Sequence, residues 1–338
     1  MAAGLEIQSR PAAEIPLDPD LPICDPHHHL RERPKDRYFL EEFIQDTGTG
    51  HNIVATVCVE NRAMYRKDGP ETMKPVGETE FFDSVAVQSA ADPNNSTLVA
   101  AAIVGHANLG LGEAVAPVLE AHLLASPSRF RGIRHSTTWD QSETIRSDAR
   151  PGLLADNTFR RGFACLQRYG LSFDAWLYHP QLWELVELAR AFPDVTIVLD
   201  HIGGPLGVGP YNGKRDEVFQ AWRNGIADLS TCRNVMMKLG GVGSTRSGYD
   251  WHERAVQPGS AELANTMAPY FDFCIEKFGV RRCMFESNFP VDKASYSYVA
   301  IWNAFKRISQ NYSAAERKAL FHDTAAGVYR IAVTGEHK

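Results

Sequence analysis

Ile23-Cys24-Asp25-Pro26-His27-His28-His29-Leu30 is the stretch that decides how the rest of the chain is interpreted. Three consecutive histidines close an apolar run, and such a run predicts a β-strand whose side chains alternate between two faces. His27 and His29 then point to one side of the strand, and His28 points to the other. Because neutral imidazole is a good ligand for zinc, manganese and iron, the two histidines on one face predict a metal site at this strand end.

Two later apolar runs also end in side chains that bind metals or move protons. Val198-Leu199-Asp200-His201 ends in a histidine, and Met284-Phe285-Glu286-Ser287-Asn288 places a glutamate and an asparagine on one face. Polar residues at the ends of widely separated strands are typical of the catalytic face of a barrel, where the carboxyl ends of the strands meet.

Eight apolar runs alternate with helical patterns, at residues 23–29, 53–60, 98–106, 132–135, 171–177, 196–201, 235–239 and 282–288. This alternation predicts a parallel sheet with right-handed crossovers, and a count of eight predicts a closed (β/α)8 barrel, the TIM-barrel class of α/β fold. An open doubly wound sheet is the alternative, but no GxGxxG motif follows the first run. We expect an N-terminal arm at residues 1–20 and a single barrel domain at residues 21–338. The charged segment 31–37 is interpreted as a loop.

The composition is that of an ordinary globular protein, with 44% hydrophobic and 22% charged residues. A net charge of −6 argues against a nucleic-acid or anionic-membrane partner. The N-terminus lacks the apolar segment of a secretory signal, and the six cysteines show no CxxC spacing. The sequence therefore predicts a cytoplasmic protein with reduced thiols that acts on a small molecule, and it leaves a homo-oligomer open.

Each of the eight runs ends in at least one polar side chain of a catalytic type. The candidate site residues are His27, His29, Glu60, His106, Arg134, Asp174, His201, Lys238, Glu286 and Asn288. Packing alone does not explain such a set at the ends of buried strands. For a single member such as His106, a hydrogen-bonded histidine without a ligand role is the alternative.

Three segments resemble one known family. The His27-His28-His29 run, Leu-Asp-His-Ile-Gly-Gly-Pro at 199–205 and Arg-Cys-Met-Phe-Glu-Ser-Asn-Phe-Pro at 282–290 are similar to motifs of the "amidohydrolase 2" branch of the amidohydrolase superfamily. The resemblance covers roughly residues 20–335. That branch consists of TIM-barrel metal-dependent hydrolases, among them sugar-acid and pyrone-dicarboxylate lactonases, and it also contains nonoxidative decarboxylases.

The resemblance implies a divalent metal ion, with zinc favoured over manganese and iron. His27, His29 and His201 would hold it, and Glu60 is a further expected ligand. Binuclear relatives bridge two metals with a carbamylated lysine on the fourth strand, which this chain lacks. A bridging role would therefore fall to Glu60 or Glu78.

The resemblance also implies a binding site for an acidic substrate. Arg134 would bind a substrate carboxylate with both arms of its guanidinium group, a geometry that suits arginine. His106 and Asp174 are expected to contact the substrate as well. A salt bridge from Arg134 to a neighbouring acid such as Asp174 is the structural alternative.

The chain departs from the family pattern on the eighth run. There the family carries Gly-Ser-Asp-Trp-Pro, whose aspartate binds metal and accepts a proton from the attacking water, and this chain carries Glu286-Ser287-Asn288-Phe289-Pro290. Asn288 can bind a metal through its carbonyl oxygen but cannot act as a general base. Glu286 is expected either to accept the proton or to orient a metal-binding histidine, with a buried salt bridge to Lys238 as the alternative.

The function that these residues predict is metal-dependent hydrolysis of a small, carboxylate-bearing ester or lactone. Glu286, Asn288 and His201 are the expected catalytic residues. Two alternatives follow from the missing aspartate. The first is a non-hydrolytic metalloenzyme, an iron or manganese oxygenase or a decarboxylase on the same barrel, and the second is an inactive barrel that serves as a partner subunit.

Overall fold

The computed structural model describes residues 10–33 and 36–332, so residues 1–9 of the predicted arm lie outside the described part. Its strands are β1 Ile23–His28, β2 Arg31–Arg33, β3 Asp36–Tyr38, β4 Ile53–Val59, β5 Leu98–Gly105, β6 Phe130–Arg134, β7 Ser172–Ala175, β8 Ile197–Leu199, β9 Val235–Leu239 and β10 Cys283–Phe285. Strands β2 and β3 form an antiparallel hairpin. The other eight pair in chain order, each parallel to the next.

The two ends of the eight-stranded sheet meet at the histidine run. The amide of His29 donates to the carbonyl of Phe289 at 2.7 Å, and the amide of Asn288 donates to the carbonyl of His27 at 2.9 Å. A parallel bridge also links His28 to Phe289. The sheet is therefore a nearly closed barrel, and the predicted (β/α)8 class is confirmed.

Helices lie between successive barrel strands and close the chain. They are α1 Leu40–Thr47, α2 Val76–Ala91, α3 Ala116–Ala125, α4 Asn157–Tyr169, α5 Leu182–Ala191, α6 Arg215–Ser230, α7 Ser260–Phe278, α8 Tyr298–Ile308, α9 Ala314–Lys318 and α10 Thr324–Val328. Apolar side chains fill the space between strands and helices. All six cysteines are unpaired, and five of them are buried. Among the described helices, none is both long and apolar enough to cross a membrane.

Helix α4 shows how local sequence produces these elements. Phe159, Phe163 and Leu166 recur at helical spacing and are fully buried. The carboxylate of Asp156 accepts the amides of Thr158 and Phe159 at the first turn. Gly170 ends the helix with a φ of 62°, a conformation that glycine adopts without a steric penalty.

The described part of the predicted arm, residues 10–20, packs against α7 and α8. The side chain of Asn303 donates to Glu14 at 2.9 Å, and Lys306 donates to the carbonyl of Leu17 at 2.7 Å. The arm is therefore anchored where it is described. The division of the chain into an arm and one barrel domain stays a prediction.

The structure corrects the sequence interpretation at two places. Segment 31–38 forms the β2–β3 hairpin instead of a loop, with residues 34 and 35 outside the described part. Strands β8 and β10 end at Leu199 and Phe285, so His201 and Asn288 lie in the turns that follow. Their φ values of 54° and 55° are left-handed, and the turns rather than strand alternation therefore set the directions of these side chains.

A buried ionic cluster fills the centre of the barrel. Nζ of Lys238 on β9 donates to Asp174 on β7 at 2.7 Å and to Asp200 after β8 at 3.0 Å. Tyr329 donates to the same oxygen of Asp174 at 2.7 Å. Burial alone would lower the pKa of Lys238, but the charges of Asp174, Asp200 and Glu286 outweigh it and raise the pKa above its usual value. Lys238 therefore stays charged and balances the acids around it.

Replacing Lys238 with methionine should destabilise the barrel, because Asp174 and Asp200 would stay buried without a counter-charge. We expect Lys238→Met to lower the free energy of unfolding by about 3–5 kcal/mol, measured by urea denaturation. The control is Lys293→Met, which removes a partly exposed ion pair with Asp46 and should cost about 0–1 kcal/mol. Equal stability of the two variants would contradict this role of Lys238.

Candidate active site

His29 keeps one ring nitrogen unprotonated at the mouth of the barrel. Its Nδ1 lies 2.8 Å from the carbonyl oxygen of Val59, and since a carbonyl only accepts, Nδ1 carries the proton. Burial, together with the positive charge of Arg134, holds the pKa of His29 well below its usual value, so the ring is neutral. Nε2 therefore has its lone pair available, which is the form of imidazole that binds a metal.

His27 places a second ring nitrogen beside the first. Nε2 of His27 lies 3.2 Å from Nε2 of His29, and two nitrogens about 2.0–2.1 Å from one tetrahedral ion stand about 3.3 Å apart. A guanidinium nitrogen of Arg134 lies 3.2 Å from Nε2 of His27. Since arginine only donates hydrogen bonds, Nε2 of His27 is the acceptor and therefore carries a lone pair. Nδ1 of His27 lies 2.9 Å from the carboxylate of Glu286, nearer than the ammonium of Lys238 at 3.2 Å. The spacing of His27 and His29 therefore fits two ligands of a single metal.

Glu286 connects His27 to His201. Nδ1 of His201 lies 2.7 Å from Oε1 of Glu286, and the amide of His201 donates to the same oxygen at 3.1 Å. Burial alone would raise the pKa of Glu286, but the charges of His201 and His27 outweigh it and lower the pKa to about 2. Burial would likewise lower the pKa of His201, and Glu286 outweighs it and raises that pKa. The ionised carboxylate thus lies behind the rings of both histidines. This position favours Glu286 as the residue that orients the histidines, rather than as the direct proton acceptor.

Two glycines after β9 make room for this pair. Gly241 has a φ of 67°, and a Cβ at this position would lie 2.1 Å from Nδ1 of His201. A Cβ at Gly240 would lie 2.3 Å from the carbonyl oxygen of Glu286. A larger residue at either position would push Glu286 and His201 apart and break the hydrogen bond between them. The glycine-rich loop after β9 is therefore part of the site.

Asn288 supplies a further candidate metal ligand, its side-chain carbonyl oxygen, and lines the same cavity as His29 and His201. Its amide nitrogen donates to Asp292 at 3.1 Å, while its Oδ1 is buried and has no hydrogen-bond partner among the described residues. Such an unpaired oxygen costs free energy, which a metal or a ligand donor would recover. Imidazole nitrogens and an amide oxygen together suit zinc, manganese or iron. The side-chain ligand atoms of His27, His201 and Glu286 also lie within 4.8 Å of one another, which is a separate grouping of metal-ligand type next to this site.

Glu60 and Arg134, a predicted metal ligand and a predicted substrate-binding residue, contact each other. Nε of Arg134 donates to Oε1 of Glu60 at 2.9 Å, and a second guanidinium nitrogen donates to the backbone carbonyl of Glu60. Arg134 also lies 3.6 Å from Asp200. Burial would lower the pKa of Arg134, but the charges of Glu60 and Asp200 outweigh it and raise that pKa. Each side chain thus has a partner within the protein, and the two predicted roles stay predictions.

His106 and Asp174, the other predicted substrate-binding residues, have contacts outside the cavity lining. Nδ1 of His106 donates to the carbonyl of Arg134 at 3.0 Å, which fits the alternative of a hydrogen-bonded histidine. Asp174 is fully buried and bound to Lys238. Arg134 therefore pairs with Glu60 instead of Asp174, and Lys238 pairs with Asp174 and Asp200 instead of Glu286.

A cavity of about 490 Å³ opens above the histidines, and its lining is strongly cationic. The lining contains six arginines, Arg31, Arg33, Arg62, Arg134, Arg146 and Arg246, and two carboxylates, Glu60 and Asp148. The whole chain has a net charge of −6, so this positive charge is local. Of these arginines only Arg134 was predicted from the sequence, because the six come from segments that lie far apart in the chain. The one sequence signal for further arginines at the site was the segment Arg31-Glu32-Arg33, which follows the histidine run.

The amidohydrolase family model matches residues 24–331 of the chain. The chain belongs to the amidohydrolase family. The predicted family is therefore confirmed, and the chain is an enzyme of that family.

Comparison with individual proteins agrees with this assignment. An uncharacterised protein of Sinorhizobium fredii, y4mH, is 34% identical over 328 residues, which cover 92% of this chain and 99% of that protein. L-fucono-1,5-lactonase of Burkholderia multivorans is 27% identical over 273 residues, 78% of this chain and 86% of the lactonase. A crystal structure of an amidohydrolase from Burkholderia multivorans with bound zinc matches with a TM-score of 0.68 at 24% identity, covering 92% of this chain and 99% of that one.

Removing His27 and His29 together should abolish metal binding. We expect His27→Ala/His29→Ala to lose its bound metal by elemental analysis, because both ring nitrogens that face one another are gone, while circular dichroism shows an intact fold. His252→Ala, in a surface turn, is the matched control and should keep its metal. A folded double variant with unchanged metal content would rule out the assignment.

Proposed function

We propose that this amidohydrolase hydrolyses a small lactone or ester that carries an acidic group, with the help of a divalent metal, for which zinc is our first choice. One observation carries the proposal: three imidazole rings meet beside a cavity lined by six arginines, and two of them, those of His29 and His201, line that cavity. The ring of His27 lies 4.9 Å from that of His29 and 4.5 Å from that of His201, measured between centroids. The relative that is named a lactonase supports an ester-type bond as the target.

His27 and His29 would hold the metal through their Nε2 atoms, and Oδ1 of Asn288 would be a third donor. When bound, such an ion polarises the scissile carbonyl and lowers the pKa of a bound water. Both histidines are almost fully buried, and a metal bound by His27 would replace the contact of its Nε2 with Arg134. The hydrogen bond from Nδ1 of His29 to the carbonyl of Val59 holds that ring in the orientation that metal binding needs, and Nδ1 of His27 lies 2.9 Å from the carboxylate of Glu286.

His201 is the proposed proton acceptor. Glu286 holds its Nδ1, which leaves Nε2 for the cavity that His201 lines. A carboxylate behind an imidazole selects the tautomer and raises the basicity of the ring, as in catalytic triads. Trp176 packs edge-on against the ring with centroids 4.8 Å apart and restricts its rotation. His201 and Glu286 together thus replace the aspartate base that the family pattern has on the eighth strand.

A non-hydrolytic reaction, such as decarboxylation, is the second candidate. The observation in its favour is Asn288, which occupies the position of the family's aspartate and donates to Asp292. A reaction without an attacking water needs no base at this position. An inactive partner subunit is disfavoured, because His27 and His29 have kept the lone pairs that bind a metal.

A lactone panel tests the proposal directly. Metal-reconstituted protein is incubated with matched pairs of neutral and acidic lactones, and ring opening is followed by proton release. Faster hydrolysis of the acidic members supports the proposal. Carbon dioxide release from a carboxylic acid, with no lactone opened, would replace it with the second candidate.

Replacing Glu286 with glutamine tests the proton-transfer pair. Glutamine has the same shape but no charge, so the basicity of His201 falls, and we expect kcat to drop about 10²–10⁴-fold. Metal content should be retained, which elemental analysis checks. Lys293→Met, already used as a stability control, should leave kcat unchanged. Full activity of Glu286→Gln would show that His201 needs no ionised partner.

Replacing Asn288 with aspartate separates the two candidate functions. If water is the nucleophile, Asn288→Asp restores the family's carboxylate and should keep or increase the rate of lactone hydrolysis. The rate is measured on the metal-reconstituted variant beside the wild type. Loss of the native activity on this change would mean that the chemistry excludes a base at this position, and it would favour the non-hydrolytic candidate.

A further inference from the structure

We propose that Arg33, Arg62 and Arg146 form an anion-binding subsite at the outer end of the cavity, which binds a phosphate or carboxylate group of the ligand. This inference deepens the proposed function. That the subsite binds an anion stands by itself, whereas the statement that this anion belongs to the substrate rests on the proposed function. All three side chains line the cavity, and all three residues are exposed, whereas Arg134 is buried. The subsite thus lies outward of the histidines.

Arg62 is held in a strained conformation by a buried side chain. Its φ is 58°, a value that residues other than glycine rarely adopt. The amides on either side of it, those of Asn61 and Ala63, both donate to Oε1 of Glu78, at 2.9 and 2.7 Å. Glu78 belongs to α2 and is fully buried. Strain that the surrounding structure imposes in this way is typical of side chains positioned for binding.

The acids of the cavity lining are already engaged by other arginines. Glu60 pairs with Arg134 at 2.9 Å, and Asp148 pairs with Arg146 at 3.0 Å. Among the residues that the structure describes, Arg62 therefore finds no unengaged carboxylate in the lining. Arg62 therefore lines a cavity whose two carboxylates are each paired with another arginine.

Arg33 adds like charge to the same place. Its Nη2 donates to the neutral side chain of Asn61 at 3.2 Å, so the turn that carries Arg62 also anchors Arg33. Burial lowers the pKa of Arg33, and repulsion from Arg31 and Arg146 lowers it further, while the charge of Asp36 opposes them in part. Guanidinium groups that repel one another across a cavity gain free energy when an oxyanion binds between them.

Arg134 differs from Arg33 and Arg62, because it is buried and its charge is balanced by Glu60 and Asp200. An acidic ligand reaches Arg33, Arg62 and Arg146 without displacing an acid from Arg134. A ligand bound in this way directs its acidic group outward. Its reacting carbonyl then extends towards the histidines.

Titration calorimetry with inorganic phosphate and with malonate, at low ionic strength, tests the subsite. We expect Arg62→Gln to weaken binding of the better probe about tenfold or more, through loss of charge-assisted hydrogen bonds. Arg281→Gln is the matched control, since Arg281 is exposed and precedes β10 at the opposite end of the barrel. Tighter binding of phosphate identifies a phosphate ester, and tighter binding of malonate identifies a carboxylate. Equal binding by Arg62→Gln and Arg281→Gln would overturn the proposal.

Glu78 is tested as a positioning residue with two variants. Glu78→Gln keeps a carbonyl oxygen that accepts both amides, so anion binding should be retained. Glu78→Ala frees the turn and should weaken binding as Arg62→Gln does, although every arginine is still present. Equal binding by the alanine and glutamine variants would remove Glu78 from the proposal.

The variant His27→Ala/His29→Ala separates this proposal from the proposed function. Phosphate should still bind to it with an affinity close to that of the wild type, because the subsite does not use the metal. Phosphate binding that disappears in this variant and persists in Arg62→Gln would place the anion on the metal and overturn the subsite. Failure to open any lactone, with anion binding intact, would contradict the proposed function alone.

Discussion

The carboxylate of Glu286 is the group on which the geometry of the site depends. It comes from the turn after β10, and it contacts the ring of His27 from β1 and the ring of His201 from the turn after β8. These residues are 259 and 85 positions apart from Glu286 in the chain. One buried charge thus holds two imidazoles from different parts of the barrel in a fixed relation. Its burial is tolerated because ring nitrogens and a backbone amide surround it.

Charge is distributed differently inside the barrel and at its mouth. Inside, Lys238 balances Asp174 and Asp200, and Arg134 balances Glu60. A buried ion without a partner would cost several kcal/mol, so the interior pairs are a condition of folding. At the mouth, water screens the arginines, and an imbalance of charge there costs little. This imbalance is available for recognition of an acidic ligand.

Sequence periodicity predicted the fold and the His27–His29 pair, because both depend on local backbone geometry. Alternation of apolar strands with helices requires crossovers, and eight units close a barrel. Strand alternation at the end of β1 predicts that His27 and His29 share one face, and the two rings do lie together, although β1 itself ends at His28. The same reasoning does not apply to His201 and Asn288, because their strands end at Leu199 and Phe285 and both residues lie in left-handed turns.

The sequence by itself determined the barrel and the family, and it placed His27 and His29 side by side as candidate metal ligands. Only the tertiary structure decided the partners of the charged residues: Arg134 binds Glu60, 74 residues away, and Lys238 binds Asp174, 64 residues away. Only the structure brought five further arginines from separate loops and the hairpin to one cavity. The physical reason is that strand and helix patterns follow from neighbouring residues, whereas a charge pairs with whichever strand end or loop the closed barrel places beside it.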